Sequence, residues 1–529
     1  MHGDDHVRAS TQGRRAAAVR VCTSPPSFRH NPAVNPSNEE SLDPRDWDEM
    51  RRLGHRMVDD AMDYLERVRE RPIWKPVPEA TKKALRAPLP VDGEAPVRVY
   101  EDFVRDVFPQ NMGNIHPRFW GWVIGTGTPL GALADLMAST MNPNIGGGDQ
   151  GPNYVELQVM AWLKEMLGYP ADASGLLVSG GSMANLVGIA VARNAKAPAD
   201  VAQDGLDAMP RRMILYASTE THNSVHKAVS LLGLGRRALR EIPVDADYRI
   251  DVEALRRSIS QDRAAGLQPF CVVGNAGTVN TGAIDPLPEL ADLCRAEDLW
   301  FHVDGVFGAL AAIAPGVKER VRGMERADSL AFDLHKWMYV NYEVGCALVR
   351  WPERHRATFV SPAEYLAHLS RGLPAGPIWF SEYGVQLSRG FRALKVWMSL
   401  KEHGVAKYGR LVAQNCEQAK YLAARVERET DLTMMAPVSL NIVCFRFAPE
   451  GLEDARADAL NEEILYGMQE SGTAVPSSTM LRERFSLRVC ICNHRTRRED
   501  LDLLVREVLE RGRAAVAGSG AAAMPAKRS

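Results

Sequence analysis

No apolar run in the 529-residue sequence comes near the roughly 18 residues that a membrane span requires. The longest apolar stretches, such as Gly308-Ala-Leu-Ala-Ala-Ile-Ala314, stop far short, and a membrane partner is not expected. Charge of one sign is not in excess either, the formal net charge being −2. So balanced a chain offers no electrostatic case for binding nucleic acid. Cysteine is sparse: eight residues, none in a C-x-x-C pair with metal-ligand spacing. Cys490 and Cys492 fall two apart in a strand-like run and so share a face. Free thiols in a reducing cytoplasm are the expected state. His222 and His226 have the spacing of a metal pair on a helix, but no further ligand accompanies them, and no metal is expected. A secretory h-region and internal repeats are also lacking.

What is there is ordinary globular composition, 45% hydrophobic and 25% charged, in a chain long enough for more than one domain. Residues 1–42, with many Arg, Ser, Pro and Asn, read as a disordered tail, and 513–529 as another. Between them the patterning predicts an N-terminal helical segment over 43–130, a large domain over 131–400 and a small α+β domain over 401–512. Asp43 and Pro44 read as an N-cap followed by Pro at the first helical position. Further helices are expected over 96–107, 130–141, 154–167, 389–402, 457–469 and 498–511. The glycine-rich stretch 142–152 reads as a flexible connector. Apolar runs at 213–217, 270–274, 299–303, 329–332 and 345–350 read as buried strands alternating with helices. That pattern predicts an α/β fold with a mainly parallel sheet covered on both faces. Strands at 442–447 and 486–491 fall in the last region.

Chemistry concentrates at the ends of these runs. Lys336 lies between His335 and Trp337, just past the run 329–332. Burial there disfavours the ammonium and frees the amine as a nucleophile for a carbonyl cofactor. Asp304 closes the run 299–303, 32 residues upstream. It suits either a pyridine nitrogen, kept protonated by a charge-assisted hydrogen bond, or a salt bridge to Lys336. Gly180, Gly181 and Ser182 open a helix, where free N–H groups make an anion site or a plain cap. His222 follows the strand 213–217 and offers a flat ring for stacking, or a structural imidazole. Thr278, in the loop 275–285, offers a hydroxyl to a ring substituent or to its own loop. Together these residues could grip pyridoxal phosphate.

The motifs His302-Val-Asp304, Leu334-His-Lys-Trp337, Gly180-Gly-Ser182, His222 and Leu387-Ser-Arg-Gly-Phe-Arg-Ala-Leu-Lys-Val-Trp397 carry a resemblance. Over 43–509 the chain resembles the group II pyridoxal-phosphate-dependent amino-acid decarboxylases, the aromatic-L-amino-acid decarboxylase family. The resemblance implies PLP fold type I, the aspartate-aminotransferase-like fold, with a seven-stranded sheet. It implies a homodimer with active sites at the interface, and pyridoxal 5'-phosphate as cofactor. Lys336 would be the Schiff-base lysine, Asp304 the pyridinium partner and His222 the ring stacked on the cofactor. Gly180, Gly181 and Ser182 would hold phosphate, with Thr278, His335 and Asp333 also at the cofactor. Asp333 stands where animal members have Asn.

The implied reaction is loss of CO2 from an L-amino acid to give the amine. In the family a mobile loop carries a tyrosine that returns a proton to the substrate, and Tyr365 resembles it. Relatives with Phe there resemble oxygen-dependent aldehyde synthases, which stay as an alternative, as does a non-catalytic binding protein on the same fold. The stretch 116–125 matches a substrate-lining segment, which marks Trp120, Trp122, Val123 and Ile124. Gly146 and Gly147 stand where aromatic-specific members carry bulky side chains from the neighbouring subunit. Trp120 and Trp122 either refill that space or pack in a core. An aromatic or bulky apolar substrate is expected over an acidic one.

Overall fold

The computed structural model describes residues 40–361 and 369–518. Two compact units divide the chain, 1–57 and 58–529. In the first, a helix begins at Trp47. Its cap is Asp46, whose Oδ1 accepts from the amides of Asp48 and Glu49 at 2.8 and 3.1 Å. The expected cap at Asp43 is thus displaced by three residues, because the first helical amides find their acceptor in Asp46.

The second unit is built on two sheets. In chain order the strands are β1 (Phe119–Trp120), β2 (Ser174–Val178), β3 (Met213–Ser218), β4 (Leu239–Ile242), β5 (Gln268–Asn275) and β6 (Trp300–Asp304). They continue with β7 (Ser329–Asp333), β8 (Gly345–Val349), β9 (Leu432–Met434), β10 (Ile442–Phe447), β11 (Val475–Leu481) and β12 (Arg484–Cys490). Seven form one sheet in the order β2-β8-β7-β6-β5-β3-β4. Strand β8 runs antiparallel to both β7 and β2, and every other pair is parallel. Only β8 therefore opposes the rest, and the sheet is mainly parallel, as the apolar runs predicted.

Helices cover both faces. His302 and Phe301, adjacent on β6, point to opposite sides. His302 meets Asn185 of helix Gly181–Lys196, while Phe301 lies with Leu287 and Leu290 of helix Leu287–Ala296 against Gly274. The common direction of β2, β3, β5, β6 and β7 brings five chain segments to one edge. Gly180, His222, Thr278, Asp304 and Lys336 all sit at or just beyond carboxyl ends of strands. Open α/β sheets bind ligands in the crevice at that edge.

The second sheet has the order β1-β11-β12-β10-β9. Helices Asp454–Glu470 and Arg498–Gly518 pack on it, with the second half of helix Ala393–Val426. This last helix kinks at Gly404, at φ 69°, and continues well past the expected end at 402. It starts four residues later than expected because Arg389 serves elsewhere. The Arg389 guanidinium pairs with Glu156 and donates to the carbonyls of Ile145 and Leu177, with the ion pair sealed from solvent. The stretch 142–152, expected as a flexible connector, is tied down by the same arginine. The Ile145 amide donates to the Arg389 carbonyl at 2.8 Å, and Ile145 is buried. Among the described residues seven cysteines are free and buried. Among the described residues no helix is long and apolar enough to cross a membrane.

Candidate active site

Lys336 follows β7 and keeps part of its surface open. Its Nζ lies 3.2 Å from Asp333 Oδ2, and His335 Nε2 lies 3.4 Å from the same oxygen. The lysine therefore meets a carboxylate three residues back, and the salt bridge weighed for Asp304 forms with Asp333 instead. Burial pushes the Asp333 carboxyl up to about 6, with Lys336 pulling the other way. His335 is pushed down to about 3, by burial first and Lys336 second, so its ring is neutral. Its Nδ1 accepts from the Val344 amide at 3.1 Å.

Asp304 is buried, with one donor on each carboxylate oxygen. Its Oδ2 accepts from Asn185 Nδ2 at 2.9 Å and its Oδ1 from the Val306 amide at 3.1 Å. His222 caps helix Asn223–Leu231, its Nδ1 accepting from the Ser224 amide at 3.1 Å. Burial lowers the His222 pKa, and Asp304, Lys336 and Asp333 all act on it through space. The four groups thus share one electrostatic environment. His222, half-buried and neutral, is able to present a flat uncharged ring.

Helix Gly181–Lys196 opens at this edge with no side chain capping it, and Ser182 is exposed on its first turn. Glycine is required at 181, because a Cβ there would lie 2.4 Å from the Val306 side chain. At 180 a Cβ would meet His335 at 3.1 Å. Free amides at such an N-terminus suit a phosphate. Thr278 is buried and bonded within its own loop, accepting from the Ala283 amide at 3.1 Å and meeting Thr281 Oγ1 at 3.1 Å.

The expected substrate wall comes apart. Trp120 is buried in the small-sheet core, its indole donating to Thr496 Oγ1 at 3.2 Å, so packing claims it. Trp122 is 56% exposed at a positive φ of 50°, while Val123 is buried and Ile124 half-buried. The space beside Gly147 is filled by Trp379, to which a Cβ at 147 would come within 2.3 Å. A Cβ at 146 would lie 2.6 Å from the Leu387 carbonyl. These glycines therefore mark close packing, and the indole supplying the bulk lies over 200 positions along the chain. Tyr365 lies outside the described residues. Among those described, no three His, Cys, Asp or Glu side chains are grouped to hold a metal.

Sequence reasoning missed the polar support. Asn185, Ser224 and Ser329 link Asp304, His222 and His302, and Asn415 accepts from the Trp337 indole at 3.1 Å. The available signal was an asparagine one turn after Ser182, within a helix whose neighbouring positions Val187–Ala192 are small or apolar.

An amine nucleophile, a buried carboxylate, a neutral imidazole and an uncapped helix at one sheet edge define an enzyme that uses a carbonyl cofactor. The model of the pyridoxal-dependent decarboxylase conserved domain matches residues 78–448, and the chain belongs to that family. It is a pyridoxal-phosphate-dependent amino-acid decarboxylase, a carboxy-lyase of PLP fold type I. It is 37% identical to an aromatic-L-amino-acid decarboxylase of Bacillus atrophaeus, over 86% of this chain and 93% of the relative. It is 27% identical to a phenylacetaldehyde synthase of Petunia hybrida, over 85% and 91%. Among solved structures, Oryza sativa TDC with PLP and tryptamine superposes with a TM-score of 0.83 at 26% identity, covering 90% of this chain and 100% of that one.

Proposed function

We propose that this decarboxylase converts an aromatic L-amino acid to its amine and CO2, with Lys336, Asp304 and His222 at the reacting centre. The observation that carries the reading is the meeting of Lys336, Asp333, Asp304 and His222 at one sheet edge, in a chain 37% identical to an aromatic-L-amino-acid decarboxylase. The uncapped helix at Gly181 and Ser182, with Gly180 beside His335, supports a phosphate there. Bound pyridoxal phosphate supplies the electron-accepting ring that lets the α-carboxylate leave as CO2.

The residues then divide the work. Lys336 would provide the amine that holds the cofactor. Asp333, at 3.2 Å, steadies that amine while it is charged. Asp304 offers a fixed carboxylate to a ring N–H, keeping the proton on nitrogen as charge arrives. His222 would offer its neutral ring for stacking on the cofactor. Tyr365 donates the proton that replaces CO2 on the α-carbon. Thr278 supports the cofactor through the loop that its own hydroxyl closes. Trp122, with Val123 and Ile124, is the part of 116–125 we assign to the substrate side, and Trp379 over Gly147 adds an aromatic surface. We further read the chain as a cytoplasmic homodimer, with a helical segment over 43–130, a large cofactor domain over 131–400 and a small domain over 401–512.

Oxygen-dependent aldehyde formation is the second reading, favoured by the likeness to a phenylacetaldehyde synthase. A tyrosine at 365 argues for the amine. The test is incubation of the full chain and pyridoxal phosphate with single aromatic and acidic amino acids under air. Equal CO2 and amine from an aromatic substrate is the expected result. Aldehyde with peroxide would establish the second reading, and preference for an acidic substrate would overturn the first. Lys336→Ala should abolish both CO2 release and the visible absorption of bound cofactor. Tyr365→Phe should lower amine and raise aldehyde, and an unchanged product ratio removes Tyr365 as proton donor.

A further inference from the structure

Trp300, His302 and Asp304 alternate along β6, so their side chains leave one face of the sheet. Ser329, the register partner of His302 on β7, stands beside them, and helix Gly181–Lys196 brings Asn185 to the same place. The contacts form a chain. Trp300 Nε1 donates to Ser329 Oγ at 2.8 Å, and Ser329 Oγ meets His302 Nδ1 at 2.8 Å. His302 Nε2 meets Asn185 Oδ1 at 2.9 Å, and Asn185 Nδ2 donates to Asp304 Oδ2 at 2.9 Å. The second Nδ2 hydrogen goes to Ser224 Oγ at 2.9 Å, which reaches His222 Nδ1 at 2.8 Å.

The two ends fix every proton between them. An indole N–H can only donate, and an ionised carboxylate can only accept. Asn185 must therefore turn its amide nitrogen to Asp304 and its carbonyl to His302. His302 must carry its proton on Nε2 and accept from Ser329 at Nδ1. Burial holds that ring neutral, its pKa pushed down to about 4, so the order is not broken by a second proton near neutrality. On the branch, Ser224 accepts from Asn185 and donates to His222 Nδ1, which also accepts the Ser224 amide. His222 is then the Nε2–H form.

We propose that Asn185 is a positioning residue for the decarboxylation, fixing the Asp304 carboxylate and joining it to His222 through one proton-ordered chain that begins at Trp300. The proposal rests on the roles given to Asp304 and His222 above. With Oδ1 held by the Val306 amide and Oδ2 by Asn185, the plane of the carboxylate is set before any ligand arrives. His222, His302, Lys336 and Asp333 are the titratable groups that share its surroundings.

Two variants test this. Asn185→Asp keeps the shape and replaces the donor facing Asp304 with a second carboxylate, so the pair must share a proton. It should lower kcat by about tenfold to a hundredfold with KM changed less than about twofold. Its rate relative to that of the parent should also rise as pH falls. Asn185→Leu removes the acceptor for His302, whose proton should move to Nδ1. Side-chain nitrogen shifts of 15N-histidine-labelled full chain, read without added cofactor and assigned with His302→Gln, report that change. Wild-type kcat and pH profile in Asn185→Asp would overturn the proposal. So would an Nε2–H His302 in Asn185→Leu or, should that variant not fold, an Nδ1–H His302 in the parent. Failure of the parent to release CO2 would sink the decarboxylase reading instead, leaving the tautomer result to judge the chain.

Discussion

Asp333 has to serve as an anion where anions are disfavoured. Its carboxyl is raised from 3.8 to about 6 by burial, although Lys336 stands 3.2 Å away. A raised acid binds its proton more tightly folded than unfolded, so its contribution to stability is full below pH 3.8 and is lost as pH rises through 6. Asn at 333 avoids that loss. Asp333→Asn should therefore gain on the parent by about 1–3 kcal/mol as pH goes from 4 to 7, read from paired urea unfolding curves. A constant difference would mean that Lys336 already offsets the buried charge. At Gly147 the argument is steric. A methyl 2.3 Å from the Trp379 ring must displace it, and Gly147→Ala should cost about 1–3 kcal/mol in thermal unfolding. At this scale much of the site was legible: Lys336, Asp304 and His222 stand at strand ends that their own apolar runs announce. Asp333 as the partner of Lys336 was not, because a lysine's side chain reaches several residues in either direction. Trp379 against Gly147 was not either, since contact across more than 200 residues leaves no local pattern.

Elements were legible where burial is complete. Strands β3, β5, β6, β7 and β8 are covered on both faces and read as near-continuous apolar runs, with His302 the polar interruption in β6. Strand β4, with Arg240 and Glu241 at the sheet's edge, carries no such run, and β11 starts Val-Pro-Ser-Ser. The segment 142–152 misled for a related reason. Its glycines suggest freedom, yet the restraint comes from Arg389 and Glu156, both nearly inaccessible to solvent at 1% and 0%. Breaking one side of such a pair leaves a buried charge. Arg389→Met or Glu156→Leu alone should cost about 3–5 kcal/mol, and the two together less than the sum. Denaturation of the three variants measures this. Additive losses would mean that the two side chains act separately.

For the whole molecule, acid is the weak side. Five histidines, four of them buried and His494 half-buried, are held neutral, His116, His302 and His494 pushed down to about 4 and His335 and His355 to about 3, each chiefly by loss of hydration. A depressed imidazole takes its proton more readily when unfolded, so stability is full above pH 6.5 and drains as pH falls toward 4 and 3. Asp285 and Asp333, both raised to about 6, act in the opposite sense over an overlapping window. Five groups outweigh two. The Tm should fall steadily from pH 6.5 to 4, and a flat profile there would show that the histidines find protons without unfolding.

The sealed cysteines give the molecule a further property. Burial raises all seven thiols, Cys490 to about 11 and Cys416 and Cys444 to about 12. Only a thiolate attacks an alkylating or oxidising agent, and these offer almost none while the chain is closed. Reaction must wait for an opening event. The spread of six over β5, β8, β10, β12 and two helices, with Cys492 just past the end of β12, turns the seven into a built-in set of clocks, each ticking at the rate at which its own neighbourhood lets water in.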